Sequence, residues 1–370
     1  MTTADNKAGG GYRRLDSIDA LRGWAAFLVI AFHVAAVPQP NLSVPKWLFP
    51  IVFNGGTGVI LFFVLSAFSL GYAWQQQKQT KSPEIAFYLR RFFRIAPLFY
   101  FWVPIVLAQD LMLNKSHPLS QLFLSSTFLF NLFPGEEQGI VPASWTLGVE
   151  MPFYLVFPLL IATANTPPKA ALLYLLSLIV ANLWSKGSVH LGLEESIRIP
   201  FVFTHIIYNL PNFILGMVLF LTYEKSIKYQ INHKAIRRIA LLGAISLYAV
   251  MLQDSLARLI PGILFWQGVA HALLMVSAVL SHRGVLVNSV MIFLGTISYS
   301  LYLNHLFVIH LLEPLYRKIY LSTWPSLLSY SLCLVITLVL VITLSMLTYR
   351  FIEVPGIRYG KKIIRRWSLR

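Results

Sequence analysis

Charge and sulfur are both scarce in this chain. Of its 370 residues, 12% are Asp, Glu, Lys or Arg, and there is one cysteine, Cys333. A soluble domain is closer to a quarter charged, so an ordinary water-soluble fold is excluded. A lone cysteine excludes an internal disulfide and a Cys-pair zinc site, and it says nothing about redox compartment. Acidic residues are the rarer sign, 14 against 30 basic, for a formal charge of +16. That balance invites a nucleic-acid partner. The basic residues, however, lie in short loops between apolar runs, the pattern left by membrane orientation, so none is expected. The sequence also has no low-complexity tract, no repeat of 20–50 residues, no G-x-S-x-G elbow and no phosphate-binding glycine loop. Asn54-Gly55-Gly56-Thr57-Gly58 reads as a turn that could shape a pocket wall.

What is abundant is apolar surface: 57% of residues are hydrophobic and the mean hydropathy is +0.67. Eleven apolar runs cover roughly 18–37, 56–74, 95–113, 120–133, 145–163, 168–184, 203–222, 237–253, 262–280, 291–312 and 326–350. The expected fold is all-α, a polytopic membrane helix bundle of about ten spans. The run 120–133 is too short for comfort as a span, and is expected to be a re-entrant or interfacial helix. Charge arbitrates. With ten spans, 23 Lys and Arg fall on the side of the termini and 7 on the other; if 120–133 crosses, the division is 14 against 16. The first model obeys the positive-inside rule and places both termini in the cytoplasm. Residues 1–16 are then a mobile cytoplasmic lead, 17–355 the membrane domain and 356–370 a basic cytoplasmic tail. The first run superficially resembles a signal peptide, but its embedded Arg22 and His33 favour an uncleaved helix.

That first run, SIDALRGWAAFLVIAFHVAAV (17–37), carries Asp19, Arg22 and His33 where charge is costly. Arg22 and His33 are eleven residues apart, which brings them to within roughly 20° of one helix face and ~16 Å apart along it. An anchoring Arg and a packed His would also fit this spacing. Phe87–Tyr100 sets Arg90, Arg91 and Arg94 at the mouth of the third span, suited either to gripping phosphate or to anchoring topology. Ser144–Pro158 buries Glu150 in an apolar helix, as acid–base work or a helix bridge would require. Gly295–Pro314 holds Ser298, Tyr299, Tyr302, Asn304, His305 and His310, polar groups for interhelical bonds or for an acceptor pocket. Topology puts His33, Glu150 and His305 at similar depth, so a shared polar cavity is expected. His305 and His310 lack the spacing and the carboxylate company of a zinc site, so no metal is predicted.

Taken in order, Arg22 with ten residues before His33, Arg90-Arg91 before the third span, W-T-L-x-x-E-x-x-F-Y at Trp145–Tyr154 and S-Y-S-L-Y-L-x-H at Ser298–His305 resemble membrane-bound acyltransferase family three. The closing YRFIEVP (349–355) is similar to that family's end, so the resemblance covers about residues 15–355. It implies an O-acyltransferase of the bacterial inner membrane that moves acetyl from acetyl-coenzyme A to a sugar hydroxyl of an O-antigen, exopolysaccharide or lipid-linked glycan. Arg22, Arg90 and Arg91 would hold the donor. His33 would be general base or acyl carrier, with Glu150 supporting its imidazole. Trp145, Tyr299, Asn304 and His305 would bind substrate. Membrane lipids and other glycan-assembly proteins are the further partners implied, and no fused esterase-like domain is expected. A proton-coupled transporter or flippase using His33, Glu150 and His305 as a relay is the competing reading.

Overall fold

The computed structural model describes residues 15–77, 81–228, 233–253, 262–281 and 284–368, and among them every regular element is helical. Arg258 and Arg283, both used in the charge count, lie outside the described residues, as does nearly all of the lead 1–16. Each of the ten long apolar runs is helical, 291–312 as two helices. In chain order these are α1 (Asp16–Ala36), α2 (Gly58–Gln77), α3 (Pro83–Met112), then the short α4 (Leu119–Thr127), α5 (Trp145–Thr163) and α6 (Pro167–Gly187). They continue with α7 (Glu195–Thr204), α8 (Ile206–Lys228), α9 (His233–Met251), α10 (Ile263–Val279), α11 (Ser289–Thr296), α12 (Ser298–Tyr320), α13 (Ser326–Thr348) and α14 (Val354–Ser368).

The expected count of ten spans is not reached by length and apolarity. Among the described residues seven helices qualify, or eight when the broken pair α11–α12 is taken as one. The shortfall has local causes. Helix α9 opens with Lys234, Arg237 and Arg238, and α10 is only 17 residues long. The third is the break within α11–α12; α4, never one of the expected ten, is nine residues long, ~14 Å at 1.5 Å per residue, and cannot cross a ~30 Å core. Leu155, Leu159, Leu172, Leu175, Ile179, Leu183, Leu242, Ile245, Val335 and Val339 are all exposed on the outer helices. A belt of that kind is stable in lipid and not in water, so the chain is an integral membrane protein.

Helix α1 lies at the centre, packed on α2, α11, α12, α10 and α13. It is buried on all sides because its wall is made of small residues: Ala20, Gly23, Ala25, Ala26, Ala31 and Ala35 let neighbours approach closely. The tightest crossing is with α11. A Cβ at Gly23 would collide with the backbone of Met291, and one at Gly295 with the carbonyl of Asp19. The chain then turns by 77° between α11 and α12, which aims the first turns of α12 into the bundle. At its other end, α13 runs through a π-turn (Tyr349–Glu353) directly into α14. Such turns often mark functional ground.

Candidate active site

Two adjoining cavities share Arg22 and Arg94. The one nearer the chain termini is lined by Asp19, Ser69, Tyr72, Tyr349, Glu353 and Ile357 among others. The deeper one is walled by Ser66, Arg91, Thr146, Glu150, Tyr154, Ser298, Tyr299 and Tyr302.

Three guanidinium groups converge here. Arg22 Nη2 donates to Ser69 Oγ at 2.9 Å, and its Nη1 lies 3.5 Å from Asp19 Oδ1. Arg91 and Arg94 sit three residues apart on α3, on one face. Among the described residues neither makes a hydrogen bond or ion pair, and Arg91 Nε is buried without an acceptor. The guanidinium of Arg91 instead lies over the Phe87 ring, 5.9 Å from its centroid. Half-buried forks with donors to spare, lining a cavity, call for an anion. Arg90, expected to grip the donor, is exposed and lines neither cavity. It stands ~100° around the helix from Arg91, which carries it off the lining face. Arg94 takes the place expected of it.

Glu150 lines the deeper cavity among these arginines, and its Oε2 accepts from Tyr154 Oη at 2.6 Å. Since Tyr154 has one proton and spends it on Glu150, Ser66 Oγ is the donor in the 3.1 Å contact to Tyr154 Oη. Among the described hydrogen bonds none joins Glu150 to His33, so the expected carboxylate support for that imidazole is corrected. The helix face that Glu150 shares with Tyr154, one turn on, turns toward α2 and α3 rather than toward His33.

The partner of His33 is His305. Their Nδ1 and Nε2 atoms are 3.0 Å apart, and the ring centroids 4.9 Å. His305 is fully buried and its Nδ1 lies 2.5 Å from the carbonyl oxygen of Tyr302, one turn earlier. A carbonyl only accepts, so His305 Nδ1 carries the proton and its Nε2, in the neutral ring, offers a lone pair. His33 Nδ1 must then donate to it, which leaves the lone pair of His33 on Nε2. This tautomer follows from the network. Tyr302 also lines the deeper cavity and its ring lies 5.5 Å from that of His305, so the histidine pair adjoins that lining, although neither histidine is part of it.

The other expected site residues divide. Tyr299 lines the deeper cavity and donates its hydroxyl to the Ile95 carbonyl at 2.7 Å. Trp145 lies outside both linings and packs edge-on to Phe63, while the next residue, Thr146, reaches the cavity. Asn304 has no exposed surface. Its Oδ1 accepts from Trp102 Nε1 at 2.9 Å, and its Nδ2 donates to Ser345 Oγ at 3.2 Å and Thr348 Oγ1 at 2.9 Å. Its amide is fully used in tying α12 to α3 and α13, so the substrate-binding role expected of it is corrected. Sequence reasoning missed Glu353, buried in the π-turn and accepting from Ser300 Oγ at 3.0 Å, and it left Arg94 out of the donor set. The spacing Arg91-x-x-Arg94 was the available signal.

The model of a family described as an acyltransferase domain, acyltransferase 3, matches residues 15–346. A protein of Acidianus two-tailed virus, ORF330, named provisionally as an acetyltransferase, is 26% identical over 80% of this chain and 83% of its own length. Acyltransferase MdmB of Streptomyces mycarofaciens is 32% identical over 40% of the chain, which spans 39% of MdmB. O-acetyltransferase OatA of Staphylococcus aureus is 25% identical over 95% of the chain, which spans 58% of OatA. No solved structure matches the chain significantly.

Proposed function

Because the chain belongs to the acyltransferase 3 family, and is therefore an acyltransferase, we propose that it moves acetyl from acetyl-coenzyme A, through the arginine-lined cavities, to a sugar hydroxyl activated by His33. The observation that carries this reading is the alignment of three features along one route. Arg22, Arg91 and Arg94 leave donors free for phosphate, Tyr302 lines the same cavity, and its ring neighbour His305 holds the tautomer in which His33 Nε2 is a base.

On this reading the arginine end faces the cytoplasm of the inner membrane, where both termini also lie, and where the donor is made. The rise from Arg22 to His33, ~16 Å, suits a phosphate-rich head held below and a thioester delivered above by a flexible arm. His33 Nε2 takes the proton of the acceptor hydroxyl as its oxygen attacks the thioester carbonyl; the C–S bond breaks and the thiolate leaves to be protonated as coenzyme A. The imidazolium so formed keeps its Nδ1–H, bonded to His305, whose own Nδ1–H rests on the Tyr302 carbonyl, so its charge is stabilised by a fixed dipole rather than by a carboxylate. Attack by Nε2 itself, with transient acylation of His33, uses the same tautomer. The acceptor expected is a lipid-linked or exported glycan of the O-antigen or exopolysaccharide kind, approaching from the outer side, with other glycan-assembly proteins as its source.

The direct test is radiolabelled acetyl transfer from acetyl-coenzyme A into glycan in membranes that contain the protein. Label in the glycan, dependent on the protein, is the expected result; none with any glycan acceptor, despite bound donor, contradicts the acceptor class.

A further inference from the structure

Helix α14 carries Arg358, Lys361, Lys362, Arg365 and Arg366, and these five side chains border one hollow on its surface. No acidic residue follows Glu353 in the chain. Two observations join this cationic strip to the site. Ile357, the residue before Arg358, lines the outer of the two cavities together with Arg22 and Arg94. By helix geometry Lys361 lies ~40° around the helix from Ile357, so the strip begins where the cavity wall ends. The strip is also fixed in position. Gly360 lets α14 press on α3: a Cβ there would stand 2.7 Å from Phe93 Cβ, and Phe93 also meets the Tyr359 ring at 5.5 Å. Phe93 is the neighbour of Arg94 in sequence, so the strip is held beside the very arginine that the two cavities share.

We infer that this strip binds the phosphate monoester of the donor's nucleotide head, the 3′-phosphate of coenzyme A, while Arg22, Arg91 and Arg94 meet the pyrophosphate. The inference rests on the acetyl-coenzyme A reading above. Anionic lipid headgroups are the rival occupants. Against them, α13 and α14 form one helix of 42 residues, ~63 Å, twice the hydrocarbon thickness. A rod of that length that crosses the bilayer carries its last third on past it, and this third is packed on α3. A phosphate monoester carries close to two charges and has room for several Lys and Arg partners at once.

The test titrates coenzyme A and 3′-dephospho-coenzyme A into the purified full-length protein in nanodiscs of zwitterionic lipid. Wild type should bind the dephospho form about fivefold more weakly, as expected for ~1 kcal/mol of solvent-exposed charge pairing. The triple variant Arg358→Gln, Lys361→Gln, Lys362→Gln should bind coenzyme A about as weakly, with no further loss for the dephospho form. Equal affinity of wild type for the two ligands overturns the inference. So does a variant that keeps the difference and loses activity only when anionic lipid is supplied, which assigns the strip to the membrane. Absence of any coenzyme A binding by wild type overturns the donor reading, and this inference with it. The charges are exposed, so the variant should fold; its melting temperature, compared with wild type, checks this directly.

Discussion

His33 Nδ1 and His305 Nε2 are 3.0 Å apart, and the carbonyl of Tyr302 fixes which of the two rings donates. The consequence is a positioning role for His305: it sets the tautomer of His33 without touching the reacting atoms. His305→Ala should lower kcat by about 100-fold while leaving donor affinity near wild type. His305→Gln, whose amide oxygen can accept from His33 Nδ1, should recover part of the loss. The alkaline arm of the pH–rate profile should move in the alanine variant, a change that mere loosening of the core would not produce. Equal damage by both substitutions, with an unmoved profile, would reduce His305 to packing.

The three arginines of α3 should separate sharply. Arg91→Gln and Arg94→Gln each remove a half-buried, cavity-lining fork that makes no hydrogen bond or ion pair among the described residues, and should raise KM for acetyl-coenzyme A by at least about tenfold. Arg90→Gln, on the exposed side of the helix, should leave KM within about twofold of wild type. Initial-rate kinetics on the three variants checks both statements.

Asn304 should matter to stability before it matters to rate. Asn304→Ala strands the Trp102 indole N–H and removes both bonds to α13, at a cost of ~1–3 kcal/mol. A thermal-unfolding midpoint lowered by several degrees is expected, with the specific activity of the folded fraction falling much less than in His305→Ala.

Beyond the end of α3, His117 is held between Gln121 Oε1 at 2.6 Å and Asp110 Oδ2 at 2.9 Å. Two acceptors favour the doubly protonated ring, and the bond to Gln121, then that to Asp110, pushes its pKa above the usual 6.5. The folded state therefore binds this proton more tightly than the unfolded chain does. The stabilisation is complete below 6.5 and is lost as pH rises through the raised value. Amide exchange in 113–127, corrected for intrinsic rates, should be slower at about pH 5.5 than at about pH 8.5, and His117→Asn should abolish the difference.

Much of this was legible in the residues, because a lipid solvent makes strong demands. Each of the ten apolar runs is helical and 120–133 is short, since unpaired backbone is not tolerated in hydrocarbon. Arg22, Arg91, Tyr299, Glu150, His33 and His305 were all marked by being polar where polarity is costly. What the sequence did not disclose was rotation about helix axes. Depth alone grouped Glu150 with His33, yet Glu150 faces Tyr154 and the arginines. Arg90 and Arg94 flank the same turn, and only the packing of α3 on α14 decides which faces inward. The 77° break at Ile297 has no proline to announce it; it arises where Gly295 lets α11 press against α1.

The most direct test of the central claim compares wild type with His33→Ala in acetyl transfer, with donor binding measured on the same preparations. Transfer should fall by at least about 10³-fold with coenzyme A affinity unchanged, because the arginine-lined cavities do not include His33 and remain intact. Undiminished transfer by His33→Ala would contradict it, and would leave His33 a packed histidine beside an arginine-lined cavity.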